Sequence, residues 1–215
     1  MANVGGGARA RTKVRMAILG LVTALSAGGA IAAEPTAAVQ VVETMHAGMV
    51  DVMRTSATTP FDERAAKLEP VIGTAYDLDF MGRKSLGKSF DGLSPEDQKR
   101  WLEAFHRFMV ANYAGRFTSF SGQSFETLGE DPAAQDTVLV RTRLVDPGKE
   151  TVDLAYRLRK QGSAWKIIDV YLKGTVSELA LRRSDFTAIL DREGFAALMA
   201  NLNGKIADLQ AGKAK

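Results

Sequence analysis

Residues 163–186 read SAWKIIDVYLKGTVSELALRRSDF, and this stretch decides the fold class. Apolar side chains occupy both alternating faces over residues 165–172, which predicts a strand that is covered on both sides. Gly174 interrupts this alternation. Thr175 and Glu178 then stand at the spacing of a capping box, and apolar residues recur after them at helical spacing. The stretch therefore predicts a buried strand, a glycine turn and an amphipathic helix.

The segments on either side of this stretch predict an α+β domain. Apolar residues at steps of three and four predict helices over residues 36–54, 59–72, 77–87 and 94–117, and again after Gly194. After Gly122 the period changes to two, which predicts strands over residues 125–128, 137–145 and 151–159. Tight turns separate these strands, so they form an antiparallel meander with the strand at 165–172. We expect a single domain in which a helical layer covers a curved sheet of about four strands.

The first 33 residues have the pattern of a secretory signal peptide. A basic segment without acidic residues precedes a short apolar run at 16–27, and Ala30-Ile31-Ala32 has the small-x-small form of a cleavage site. The apolar run is short for a membrane span, although an uncleaved anchor is the alternative. We therefore predict cleavage near Ala32 or Ala33, a mature domain of residues 34–215, and export to the periplasm.

Charge and composition exclude several classes of function. Without the four basic residues of the leader, the chain has 24 basic and 25 acidic residues, a formal charge of −1, which argues against a nucleic-acid partner. The chain has no cysteine, so neither a disulfide framework nor a thiolate metal site is possible. No phosphate loop, nucleophile elbow or zinc-protease motif is present, and we expect no cofactor, no metal and no catalytic residue.

The central stretch also resembles a known family. Residues 165–170, followed by Gly174, Ser177, Arg183 and Phe186, are similar to the signature of the MlaC-like (toluene-tolerance) periplasmic lipid-transfer family. The similarity extends upstream to positions that include glycines and aromatic residues: Gly82, Gly87, Phe105 and Tyr113. The family usually has Gly-Val-Ser after the strand, whereas this chain has the longer Gly-Thr-Val-Ser. The longer form resembles the hopanoid-biosynthesis-associated branch, HpnM.

The resemblance implies a fold and a function. The fold is related to the NTF2 superfamily, in which helices cover a concave sheet and enclose a hydrophobic cavity. The function is that of a non-enzymatic periplasmic carrier, a monomer that takes a phospholipid or hopanoid between an inner-membrane transporter and an outer-membrane receptor complex. Contact with the membrane itself is transient. No spacing in the sequence identifies the lipid, the number of its chains or the direction of transport.

The cavity lining is predicted from the bulky stripe of the helix at 94–117 and from two sequence regions expected to face it. The predicted lipid-binding residues are Trp101, Phe105, Phe108, Met109, Tyr113, Phe117, Leu154, Tyr156, Leu158, Phe186 and Ile189. Helical periodicity alone is equally compatible with a filled core, because a core helix carries the same spacing. Tyrosine hydroxyls suit the mouth of such a cavity, where one end is apolar and the other is wet.

An enzymatic alternative follows from the fold relationship. Ketosteroid isomerases of the NTF2 superfamily use an Asp base and a Tyr donor, roles that Asp169 and either Tyr156 or Tyr113 could take here. We instead interpret Asp169 and Arg183 as structural residues that satisfy polar groups at the turn between strand and helix. Two histidines complete the candidates: His46 is expected on or beside an apolar helix stripe, and His106 is expected in solvent.

Overall fold

The computed structural model describes residues 34–213, and the predicted signal peptide lies outside them. The helices are α1 (Ala37–Thr55), α2 (Phe61–Ala75), α3 (Leu78–Leu86), α4 (Lys88–Asp91), α5 (Pro95–Arg116) and α6 (Glu178–Gln210). The strands are β1 (Ser124–Ala133), β2 (Thr137–Val145), β3 (Val152–Gln161), β4 (Ala164–Leu172) and β5 (Val176–Ser177). The predicted α+β class is confirmed. Within residues 34–213, none of the helices combines the length and the apolar composition of a membrane span.

Side-chain caps fix where the helices begin. Thr36, Asp77 and Ser94 each accept a hydrogen bond from a backbone N–H in the first turn of α1, α3 and α5, respectively. The Asp77 carboxylate also accepts hydrogen bonds from Arg159. At the other end of α3, Gly87 has a φ of 58° and lies under the Arg183 guanidinium, so a side chain there would be both strained and obstructed.

The sheet is an antiparallel meander in the order β1-β2-β3-β4-β5. The four predicted strands are confirmed, although β1 is longer than predicted and the two-residue β5 is an addition. α1 lies against β1, β2 and β4, while α5 packs against α2, α3 and α6. The helical layer therefore covers one face of the sheet, and the buried apolar residues of both layers form one core cluster.

The start of α6 differs from the predicted capping box. Ser177, not Thr175, is the N-cap: its hydroxyl accepts from the Ala180 N–H at 2.9 Å. The carboxylate of Asp169 on β4 takes over the remaining capping, because it accepts from the Ser177 hydroxyl at 2.6 Å and from the Leu179 N–H at 3.1 Å. These contacts confirm the structural interpretation of Asp169 and tie the start of α6 to β4.

Two further expectations about single residues are wrong. Arg183 is exposed and lies against Gly87, so it does not serve the turn between β4 and α6. His106 is half-buried rather than solvated: its ring lies near Gly73 of α2, and its Nε2 is buried without a hydrogen-bond partner among residues 34–213. The reason is that α2 packs over this side of α5.

Candidate functional site

A partly enclosed cavity of about 280 Å³ lies between the sheet and the helices. This volume is close to the lower limit of about 300 Å³ for typical ligand pockets. Most of the lining is apolar. The lining residues are Met49, Met81, Met109, Asn112, Tyr113, Arg116, Phe117, Phe125, Leu144, Val152, Leu154, Tyr156, Val170, Leu172, Glu178 and Arg182.

Strand register builds the sheet wall of the cavity. Directly paired residues in an antiparallel sheet share a face, so each pairing row presents its side chains together. One row joins Phe125, Leu144 and Val152 across β1, β2 and β3. Two further rows pair Leu154 with Leu172 and Tyr156 with Val170, on β3 and β4. The alternation in the sequence thus produces a continuous wall of aliphatic and aromatic groups.

The depth of the cavity can be followed from the burial of its lining. Met49, Met81 and Met109, from α1, α3 and α5, are each at most 3% exposed and mark the deep end. Val152 is 36% exposed and Arg116 is also exposed, so these residues mark the mouth. The unbranched methionine side chains can adopt several shapes, which suits the wall of a site that must fit a flexible ligand.

A buried histidine contacts two residues of the sheet wall. His46 on α1 is hydrogen-bonded through Nε2 to the Tyr156 hydroxyl at 2.9 Å and stacks on Phe125 at 3.8 Å between ring centroids. Burial lowers the pKa of His46 from 6.5 to about 3, because a charged imidazolium would lose its hydration there. His46 is therefore neutral near pH 7 and holds two residues of the cavity lining in place.

A tyrosine pair joins the cavity lining, through Tyr113, to the adjacent core. The hydroxyls of Tyr76 and Tyr113 are hydrogen-bonded to each other, and the Tyr113 ring stacks on Phe117. Burial raises the pKa of Tyr76, Tyr113 and Tyr156 above the usual value of 10.0, since phenolate would be poorly solvated. These hydroxyls stay neutral and act as hydrogen-bonding groups rather than as bases.

The charged lining residues form one cluster at the α6 side. Arg182 Nη2 donates to Glu178 Oε2 at 3.1 Å, four residues earlier on α6, and the guanidinium lies over the Phe108 ring at 4.9 Å. Burial lowers the pKa of Arg182, an effect that the negative charge of Glu178 opposes and the positive charge of Arg116 reinforces. The cavity thus has one polar end and otherwise uncharged walls.

The structure separates the predicted lipid-binding residues into two groups. Met109, Tyr113, Phe117, Leu154 and Tyr156 line the cavity together. Their convergence follows from the packing of the C-terminal half of α5 opposite β3.

The other six predicted residues do not line this cavity: Trp101, Phe105, Phe108, Leu158, Phe186 and Ile189. Most of them are deeply buried in the core, and Ile189 packs against it. Trp101 donates from Nε1 to the Gly82 carbonyl at 2.9 Å, and Phe186 makes edge contacts with Trp101 and Phe108. The physical reason is that α3 and α6 pack against α5 at Trp101 and Phe108, so these side chains lie among core residues rather than beside the cavity.

Sequence reasoning missed several lining residues. Met49 belongs to a recognised apolar stripe, but periodicity does not say which stripe residues border empty space. Arg116 stands at the end of its helix and resembles a capping cation. Glu178 and Arg182 have the i,i+4 spacing that usually marks a solvated surface pair, so the sequence carries no signal that they enter a cavity.

Asp169 does not reach the cavity. One carboxylate oxygen accepts from the backbone N–H groups of Val170 and Leu179, and the other accepts from the Ser177 hydroxyl. Tyr156, a possible catalytic donor, is bonded to His46 instead. The pairing of Asp169 with a tyrosine that an isomerase-like site would need is therefore not assembled.

Comparison with known proteins agrees with this architecture. The family described as MlaC protein matches residues 43–204. A solved structure, the phospholipid-binding protein from Ralstonia solanacearum in complex with a phospholipid, has a TM-score of 0.69 at 21% sequence identity. The match covers 79% of this chain and 97% of the Ralstonia chain, which shows that the two share a fold. From the extent of the family match, this chain belongs to the MlaC protein family.

Proposed function

We propose that the protein is a non-enzymatic carrier that holds the apolar part of a lipid in the cavity described above. The observation that carries the proposal is a partly enclosed apolar cavity whose charged groups are confined to one end. Each CH₂ group that leaves a bilayer for water costs about 0.8 kcal/mol, so a long-chain lipid needs an apolar environment during transfer. Methionine and aromatic side chains supply that environment here.

Membership of the MlaC family and the bound phospholipid of the Ralstonia relative support a lipid as the ligand. We take a glycerophospholipid as the general cargo. The hopanoid alternative depends on the Gly-Thr-Val-Ser form of residues 174–177. These residues form the turn and the N-cap before α6 and do not line the cavity, so they would not contact a bound lipid there.

We further propose that the carrier works in the periplasm as a monomer, between an inner-membrane transporter and an outer-membrane receptor complex. The signal-peptide pattern of residues 1–33 and the family membership support this location. N-terminal sequencing of the protein from a periplasmic extract tests it, with Ala33 or Glu34 as the expected first residue. An intact Met1 in the membrane fraction would contradict it.

The cavity itself can be tested by filling it. We expect Leu154→Trp to lower lipid occupancy about tenfold, because the indole takes up cavity volume that a lipid chain needs. Overpacking of this kind costs about 1–3 kcal/mol. Leu154 lies in the sheet wall, whereas Leu181 is 50% exposed on α6 and does not line the cavity, so Leu181→Trp is the matched control. Native mass spectrometry of the gently purified protein, together with extraction of lipid from vesicles, measures occupancy. A wild-type protein that neither co-purifies with lipid nor extracts it would refute the carrier function.

A further inference from the structure

One end of the cavity carries charged side chains, which the binding of apolar lipid chains does not require. Arg116, Glu178 and Arg182 line the same cavity, and no other residue of its lining carries a charge. Arg182 Nη2 lies 3.1 Å from Glu178 Oε2 on α6, and Arg116 reaches the same cavity from the end of α5. Acyl chains gain nothing from these groups, so their position inside the cavity needs another explanation.

Arg182 is held in a fixed orientation, and several of its N–H groups have no hydrogen-bond acceptor in the described residues. Its side chain is 14% exposed, its guanidinium lies over the Phe108 ring, and Nη2 donates to Glu178. A guanidinium has five N–H donors, and those of Arg182 other than the one bound to Glu178 make no hydrogen bond to any residue in 34–213. The remaining donors are therefore available to a ligand in the cavity.

The charges of the cluster do not balance. Two guanidinium groups face one carboxylate, which leaves a net charge of +1 next to apolar walls. Arg182 is paired with Glu178 inside the cavity, so the excess positive charge lies at Arg116 on the exposed mouth, where the cluster is complementary to a ligand group with one negative charge. The planar donor fork of arginine matches the oxygens of a phosphate, which it can bind with two parallel hydrogen bonds.

We infer that this end of the cavity binds the phosphodiester of a lipid headgroup, with Arg116 and Arg182 donating to its oxygens. Glu178 keeps the Arg182 fork in position, and Arg116 approaches from the exposed mouth. The inference rests on the proposed carrier function and deepens it, because it selects a phospholipid over a cargo that has no phosphate. It also orients the lipid: the headgroup lies at the α6 side and the chains extend towards the methionines.

The test compares two lipids with identical acyl chains, phosphatidylglycerol and diacylglycerol. Both are supplied to the purified protein from cyclodextrin complexes, so that vesicle charge plays no part, and bound lipid is counted by native mass spectrometry. We expect the wild type to prefer phosphatidylglycerol about tenfold, the effect of charge-assisted hydrogen bonds. Arg116→Gln should lower phosphatidylglycerol binding and remove most of this preference. Arg182→Gln should also remove most of the preference, and its folding is checked separately because its side chain is only 14% exposed.

Arg192→Gln is the matched control, because Arg192 lies on an exposed part of α6 outside the cavity. An equal loss of preference in this variant would overturn the inference in favour of general surface charge. Equal binding of both lipids by the wild type would overturn the headgroup site and leave the carrier function intact. Binding of neither lipid would overturn both. Displacement of phosphatidylglycerol by equimolar inorganic phosphate would assign the arginines to free phosphate instead.

Discussion

The buried His46 predicts a specific dependence of stability on pH. Burial lowers its pKa from 6.5 to about 3 in the folded protein, whereas the unfolded chain keeps the ordinary value. When the pH falls below 6.5, the unfolded chain takes up a proton at this position and the folded protein does not. The stability that neutral His46 provides is thus fully present above pH 6.5 and is lost progressively as the pH falls towards 3.

The expected magnitude follows from the two pKa values. In this interval one more proton binds to the unfolded state, so the free energy of unfolding falls by about 1.4 kcal/mol per pH unit. Across the whole interval from 6.5 to about 3, the loss amounts to about 5 kcal/mol, which is a large part of the stability of a typical domain. The stacking on Phe125 and the hydrogen bond to Tyr156 are what keep the imidazole in this position.

Urea unfolding at a series of pH values between 7.5 and 4.5 measures this contribution. His46→Gln keeps a hydrogen-bonding group for Tyr156 but does not titrate, so its free energy of unfolding should fall less steeply than that of the wild type. His106→Gln removes the other histidine of the chain, and its free energy of unfolding should fall with pH as steeply as that of the wild type. Parallel pH profiles for the wild type and His46→Gln would refute the buried, neutral state of His46.

Two further substitutions separate core residues from capping residues. Phe108→Ala should lower the free energy of unfolding by about 3–5 kcal/mol, because the ring fills the space between Phe186 and the Arg182 guanidinium; a much smaller loss in urea unfolding would place Phe108 in a cavity wall instead. Asp169→Ala should cost about 3 kcal/mol and speed hydrogen exchange at the first turn of α6, since three hydrogen bonds to a carboxylate are lost. Unchanged exchange at Leu179 would show that Ser177 caps the helix alone.

Most of the fold could be predicted because its signals are local. The change of period from helical spacing to alternation separates the helices from the meander, and turn residues mark the strand ends. The start of α6 could not be predicted in the same way. Thr175 and Glu178 have the spacing of a capping box, but Asp169, eight residues before Ser177, supplies a tertiary partner that makes Ser177 the cap. Local spacing cannot register a contact that forms only when two elements pack.

The aromatic stripe of α5 shows where periodicity stops being informative about function. Trp101, Phe105 and Phe108 share the spacing of Met109 and Tyr113, yet only the latter two border the cavity. The difference arises from the neighbours: Trp101 and Phe108 pack against Phe186 of α6, while Met109 and Tyr113 border the cavity opposite the sheet wall. Whether an apolar side chain touches a core or a cavity is decided by what lies opposite, and one helix sequence does not contain that information.

The polar end of the cavity depends on the same kind of tertiary contact. Asp169 anchors the start of α6 to β4, and Glu178 is the first residue of that helix. Arg182 follows one turn later on the same side, which places the ion pair at the cavity rather than in solvent. An exposed pair of this spacing would contribute little to stability. In this position the ion pair instead makes the two ends of the cavity different. The charged end suits a lipid headgroup, and the uncharged end suits the acyl chains.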